Sequence, residues 1–373
     1  MSRFLRISAV LIAVCFAMTV YAQDFGEIKR KAEAGDAEAQ VVLGLMYAEG
    51  KGVTQSDTEA VKWRRLAANQ GNAWGQLFLG AMYESGQGVA KSDPEAAKWY
   101  RLAAEQGLDI AQFSLGNMYF NGRGVRQDYT EAAKWYRLAA EQKHIEAQFI
   151  LGVMYSEGRG VAKNDTEAVR WYRNAGEQGF AAAQGLLGVM YESGQGVAQS
   201  DREAVKWYLL AAEQGNATAQ YCLGEMYRLG RGVVQNYEEA TKWYRLAGEK
   251  GYAMAQYKLG LTYGVAQNYT EAVKWFRLAA EQGNADAQFY LGEMNGKGQG
   301  VDKNYAEAAK WYRLAAEQGI AEAQIKLGVM YAGGIGVAQS DTEAEKLFRL
   351  AAEQGHEGGK KALELLKMQG HGR

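Results

Sequence analysis

From Ala37 onward the apolar positions fall into two alternating patterns. In the first, Ala39, Leu43 and Tyr47 stand at i, i+4 and i+8 and line one face of a helix; in the second, Ala60, Trp63 and Ala67 stand at i, i+3 and i+7. The pair recurs with a period of 36 residues, starting at Ala37, Ala73, Asp109, Ile145, Ala181, Ala217, Ala253, Ala285 and Ala321. Eight copies are full length and the seventh is four residues short, so the repeats fill residues 37–356. Such a period predicts an all-α solenoid of nine helical pairs.

The polar and glycine positions punctuate this pattern. Gly50-Lys-Gly52-Val53 separates the two helices of the first copy, and its echoes run through to Gly334 and Gly336. Paired glycines after a helix suit a left-handed cap and a tight reversal. None continues into the Gly-Lys-Ser/Thr of a nucleotide loop, so a phosphate cradle is set aside.

Each second helix opens with Ser, Asp or Asn and carries glutamate three residues later, from Ser56 and Glu59 through to Ser340 and Glu343. That spacing predicts a reciprocal capping box in all nine copies. Pro94, the one proline, falls in the first turn of such a helix, where its missing N–H costs nothing. Gly44 and its counterparts sit inside the first helix, where glycine costs about 1 kcal/mol against alanine. Their recurrence predicts a place where two helices touch with no room for a side chain.

Residues 23–36 read as an N-terminal capping half-repeat and residues 357–373 as a C-terminal capping helix and tail, each shielding an exposed apolar end. The shortened turn at Tyr263-Gly264-Val265 predicts a pinch or bend after the sixth repeat.

The pattern Ala-x-Ala-x-x-x-Leu-Gly-x-x-Tyr-x-x-Gly-x-Gly-Val, followed by Glu-Ala-x-x-Trp-x-x-x-Ala-Ala-x-x-Gly, resembles the Sel-1-like repeat family, a relative of the tetratricopeptide repeats. The resemblance covers essentially the whole chain after residue 22. It implies an α/α solenoid wound as a right-handed superhelix and a non-enzymatic adaptor role in protein assemblies. Exported bacterial members are, by the same resemblance, linked to envelope signalling or host interaction. A cysteine-rich exported branch is described as penicillin-binding, but here only Cys222 follows the leader and no Ser-x-x-Lys motif is present, so that activity is not carried over.

Composition narrows the compartment and the chemistry. Arg3 and Arg6 precede an apolar run from Ile7 to Val20, with Ala22 just beyond, which reads as a signal peptide at residues 1–22 cleaved after Ala22. The run is shorter than the roughly 18 to 20 residues that span a bilayer. The expected location is therefore periplasmic or secreted, with no membrane span. The formal charge of −1 becomes −3 once Arg3 and Arg6 leave, and no basic stripe of the kind nucleic acids require emerges. With one cysteine left, the fold is held by packing alone.

Candidate chemistry is sparse. His144, His356 and His371 are too few and too scattered for a metal cluster or a catalytic relay, and each reads as a solvated surface residue. No catalytic, cofactor-binding or metal-binding residue is assigned. The recurring tryptophans, Trp63 to Trp311, hold one repeat position and read as core, while the lysines, arginines and glutamines of the second helix read as its solvated face.

A protein or peptide partner is expected in the concave groove lined by the first helices. Candidate contacts there are Trp74, which is out of register with the other tryptophans, and Phe113, Phe149, Tyr221, Tyr257 and Phe289, which share the fifth position of their repeats. These five either form an aromatic ladder for a partner segment or pack against the neighbouring layer. The competing reading, from the compartment and the groove aromatics alone, is an envelope enzyme or a peptidoglycan- or glycan-binding accessory protein.

Overall fold

The computed structural model describes residues 24–370, and these form twenty helices with no strand among them. The proposed leader, residues 1–22, and His371 lie outside the described residues. Contacts divide the chain into two units: one reaches Ala183 and takes in Gln195–Val197, and the other comprises Gln184–Gly194 and everything from Ala198 onward.

In both units the repeat has one form. The first copy shows it: a helix Ala37–Glu49, a glycine turn, and a helix Asp57–Asn69. Gly50 caps the first helix at φ 70°, and Gly52 follows at φ 68°. From Gly88 onward the second glycine of the turn is required by a close approach as well as by its φ: a Cβ on Gly88 would lie 2.5 Å from the carbonyl carbon of Asp57, at the start of the preceding repeat's second helix. The turn is thus an arm laid across the layer before it.

The mid-helix glycines touch a neighbour as their recurrence predicts. A Cβ on Gly80 or Gly116 would stand 2.8 Å from the ring of Tyr100 or Tyr136 on the paired helix. Those tyrosine rings are buried, and close packing offsets the helix penalty of glycine.

The capping boxes are only half formed. Every second-helix cap accepts the backbone N–H of its glutamate, as in Ser56 with Glu59 (3.3 Å) and Asn304 with Glu307 (3.0 Å). The glutamates do not reach back, because the cap's own N–H already donates to a carbonyl of the first helix, that of a tyrosine in all repeats but the eighth, where it is Asn295: Ser56 to Tyr47 and Ser92 to Tyr83, both 2.9 Å. Freed of that role, the glutamates pair with the lysine one turn on, as in Lys62 with Glu59 at 3.1 Å.

Layers are joined by a ladder of buried glutamines that the hydrophobic pattern conceals. Gln40 donates through Nε2 to the carbonyl of Ala32 (3.1 Å), while its Oε1 accepts from Gln70 (2.8 Å). The same pair of bonds recurs at Gln76 with Ala68 and Gln106, and at Gln288 with Ala280 and Gln318. The glutamine that follows the second helix in eight of the nine repeats is therefore a structural donor, which corrects the reading of that position as merely solvated. Above the ladder, Arg65 donates to Tyr83 of the next repeat (2.9 Å) and Arg137 to Tyr155 (2.7 Å).

The recurring tryptophans pack between layers: Trp63, Trp171 and Trp243 are buried, and the rest are half-buried. At the ends, the helix Phe25–Glu33 buries Ile28 and Ala32 against Leu43 and Trp63, and the helix Glu357–Gly370 packs on the last repeat.

The short repeat keeps two helices of 13 residues, Ala253–Val265 and Tyr269–Glu281, so the deletion falls wholly in the turn. Gln282 still donates to Gln256 (2.7 Å), and Gln256 to Gly248 (2.9 Å). The glutamine ladder therefore continues through the short repeat. What the deletion removes is the glycine arm, and Tyr237, which that arm would cover, is 65% exposed.

Candidate binding face

Counting 1 to 36 within each repeat, the first helix fixes Gln, Leu and Gly at positions 4, 7 and 8 in all nine copies, and Met at position 10 in all but one. These residues are spent on the ladder and the core. Position 9 carries Leu45, Ala81, Asn117, Val153, Val189, Glu225, Leu261, Glu293 and Val329, and none of the nine is buried. One position of an otherwise uniform repeat is thus accessible and occupied by five residue types, apolar, polar and acidic.

Beside that face stand the position 28 residues of the second helices. Their tyrosine hydroxyls donate to whatever polar group the first helix offers: Tyr100 to Glu84 (2.7 Å), Tyr136 to Asn117 (2.8 Å), Tyr208 to Glu192 (2.7 Å) and Tyr312 to Glu293 (2.7 Å). Tyr244 is bonded to Glu225 in the same way. The glutamates are in turn held by cations of the next layer. Arg123 bridges Glu84 (2.9 Å) and Asp93 (3.0 Å), and Arg231 bridges Glu192 (2.8 Å) and Asp201 (2.7 Å). Burial alone raises Glu293, but hydrogen bonds from Lys297, Tyr312 and Lys326 outweigh it and bring it down to about 2. These carboxylates are held by cations and hydroxyls, which suits electrostatic clamps better than proton transfer.

The fifth-position aromatics pack tilted against the position 28 rings of their own repeats. Ring centroids lie 5.8 Å apart for Phe113 and Tyr136, 5.9 Å for Phe149 and Tyr172, 6.0 Å for Tyr221 and Tyr244, 6.1 Å for Tyr257 and Phe276, and 5.9 Å for Phe289 and Tyr312. All five remain half-buried, so each has one packed face and one accessible face. Trp74 is also half-buried; it packs on the core around Leu77 and Tyr100, with its ring 5.9 Å from Phe78.

His144 is buried, not solvated. Its Nδ1 accepts the N–H of Ala147 (3.3 Å) as a helix cap, and its ring stacks on Phe113 at 4.5 Å. Burial pushes its pKa below the usual histidine value, against the opposing pull of Glu146 and Asp109. His356 also caps, accepting from Gly358 (3.1 Å). Cys222 is half-buried, and burial pushes its thiol up to about 11, which makes it a poor nucleophile at neutral pH.

Sequence reasoning missed Arg64. It occupies position 28, where the other repeats place tyrosine or phenylalanine, and it is only 8% exposed. Its aliphatic stem covers Gly44 as the tyrosine rings cover their glycines, and its guanidinium lies 4.9 Å from the centre of the Phe78 ring. Reading position 28 down the register would have exposed the substitution.

Among the described residues no helix is long and apolar enough to cross a membrane. The family model of the Sel1 repeat matches residues 37–72, 75–108, 109–144, 145–180, 181–216, 217–252, 253–284, 285–320 and 321–356. A protective antigen present in uropathogenic Escherichia coli strains, displaying an SLR fold, is 38% identical, with 92% of this chain and 82% of that one covered and a TM-score of 0.55. A Sel1 repeat protein from Oxalobacter formigenes is 31% identical, with 94% and 92% covered and a TM-score of 0.53. A search of curated proteins finds no significant match.

Proposed function

Because the chain belongs to the Sel1 repeat family, whose scaffolds generally serve protein–protein interaction, we propose that it is an exported, non-enzymatic adaptor that holds a protein or peptide segment along its first-helix face. The observation that carries this reading is the division of labour within the repeat. Positions 4, 7 and 8 never change and are consumed by packing, whereas position 9 changes in nearly every layer and stays accessible. Such a surface recognises an extended partner by a series of separate contacts. Export rests on the leader pattern of residues 1–22. The similar Escherichia coli protein is described as a protective antigen, which is compatible with display outside the cytoplasm.

A photo-crosslinking residue at position 74, compared with one at Lys98 on the second helix, tests the proposal in the native host. A protein captured from position 74 and not from position 98 is the expected result. Capture of glycan fragments with no protein would overturn it in favour of a cell-wall accessory role.

A further inference from the structure

Arg64 breaks a rule that the other repeats keep. Where position 9 or 12 of the first helix is polar, position 28 is a tyrosine bonded to it, as in Tyr100 with Glu84. Where both are small or apolar, position 28 is phenylalanine: Phe276 stands with Leu261 and Gly264, and Phe348 with Val329 and Ala332. The first repeat has Leu45 and Ala48 at those two positions, and yet it places a guanidinium over the Phe78 ring.

That cation has no acceptor of its own. Its Nε is buried with no hydrogen-bond partner, and no hydrogen bond of its guanidinium is found among the described residues. The carboxylates that act on it from a distance, Glu49 and Asp57, are each engaged elsewhere, Glu49 with Lys51 and Asp57 with Gln87 at 3.1 Å. An enclosed, unpaired charge is costly, and phenylalanine fills the same place in two other layers. Stability does not account for an arginine here.

We infer that Arg64, its guanidinium set over the Phe78 ring, is the anchor point for a carboxylate carried on an apolar stretch of a peptide partner. A guanidinium offers a fork of donors matched to a carboxylate, and the surrounding side chains exclude water from the pair. In the second and fifth repeats the chain supplies such a carboxylate itself, as Glu84 and Glu192 held by Arg123 and Arg231. In the first repeat position 12 is Ala48, so a carboxylate facing the position 28 side chain is left to the ligand. The inference rests on the adaptor reading above and names the chemistry of its partner.

The test uses the full chain with three probes: acetyl-Leu-Glu-Leu-amide, acetyl-Leu-Gln-Leu-amide, and acetyl-Leu-Gln-Leu with a free C-terminal carboxylate. Binding is followed through the Arg64 Nε–H resonance by NMR and by calorimetry. Saturable binding of either carboxylate peptide supports the inference and tells side-chain from C-terminal recognition; the neutral amide should bind about thirtyfold or more weakly. Arg64→Phe should keep or raise the melting temperature and lose the same factor, and Arg64→Lys should fold and bind with intermediate strength. Equal binding of all three peptides, unchanged binding in Arg64→Phe, or no shift of the Arg64 resonance overturns the inference. Protein capture at position 74 that persists undiminished in Arg64→Phe overturns it while leaving the adaptor reading intact. Carboxylate binding through Arg64 without any captured protein supports the site and overturns the adaptor reading instead.

Discussion

The Oε1 of Gln220 is buried with no hydrogen-bond partner, because Lys250 stands where every other repeat places the glutamine that would donate to it. Lys250 instead donates to the carbonyl of Gly215 at 2.6 Å. In the third repeat one glutamine makes both bonds, since Gln142 donates to Gln112 and to Gly107. Lys250→Gln is therefore expected to complete the ladder without losing the second contact. The gain should be about 1 kcal/mol, the usual worth of satisfying a buried acceptor, and denaturant unfolding would measure it. No change, or a loss, would show that the ladder contributes register and not stability.

Two non-glycine residues sit in the left-handed region, Lys143 at φ 68° and Gln267 at φ 59°. Lys143 holds the turn position that is glycine in the other repeats. Lys143→Gly should relieve about 1 kcal/mol of backbone strain, offset in part by the entropy of a freer unfolded chain. The reverse experiment, Gly116→Ala, places a methyl 2.8 Å from the Tyr136 ring and should cost about 1 to 3 kcal/mol as overpacking. Thermal melts of the two variants should move in opposite directions.

His144 gives the fold a pH dependence. Its folded pKa lies below the unfolded value of 6.5, so the native state favours the neutral ring. As pH falls through that unfolded value, the unfolded chain takes up a proton that the folded chain resists, and stability declines until the folded pKa is passed. His144→Asn retains a capping acceptor, as Asn72 and Asn216 do at the same position, and should flatten the profile over that window. An unchanged slope between pH 7 and 5 would place its origin elsewhere.

Glu293 acts at the acid end with the opposite sense. Its folded pKa of about 2 lies below the ordinary 4.5, so its contribution is complete above the unfolded value and is lost as pH falls through the folded one. Glu293→Gln should lower stability at neutral pH and reduce the further loss on acidification from pH 4.5 to 2. A parallel shift of the whole acid-unfolding curve would contradict that assignment.

Much of this architecture follows from local chemistry and so was legible in the chain. The 36-residue period, the two helices, the glycine turns and the small residue at Gly44 each depend on a periodicity or on a backbone preference that a few adjacent residues express. The core position of Trp63 and its counterparts, and the terminal caps, follow from the same pattern. Other features depend on partners brought together only by stacking. Gln40 and Gln70 are thirty residues apart, and neither looks structural until the layers place their amides 2.8 Å from each other. The glutamates of the second helices fail to close their capping boxes because a carbonyl of the other helix, such as that of Tyr47, has already taken the cap's N–H. His144 is polar in composition and buried in fact, since Phe113 lies over it. The sequence by itself determined the repeat and its helices, because those are set by short-range sterics and by which faces must leave water. The tertiary structure alone decided which polar groups find partners and which, like the Nε of Arg64, are left without one, because hydrogen bonding between layers is fixed by the geometry of stacking.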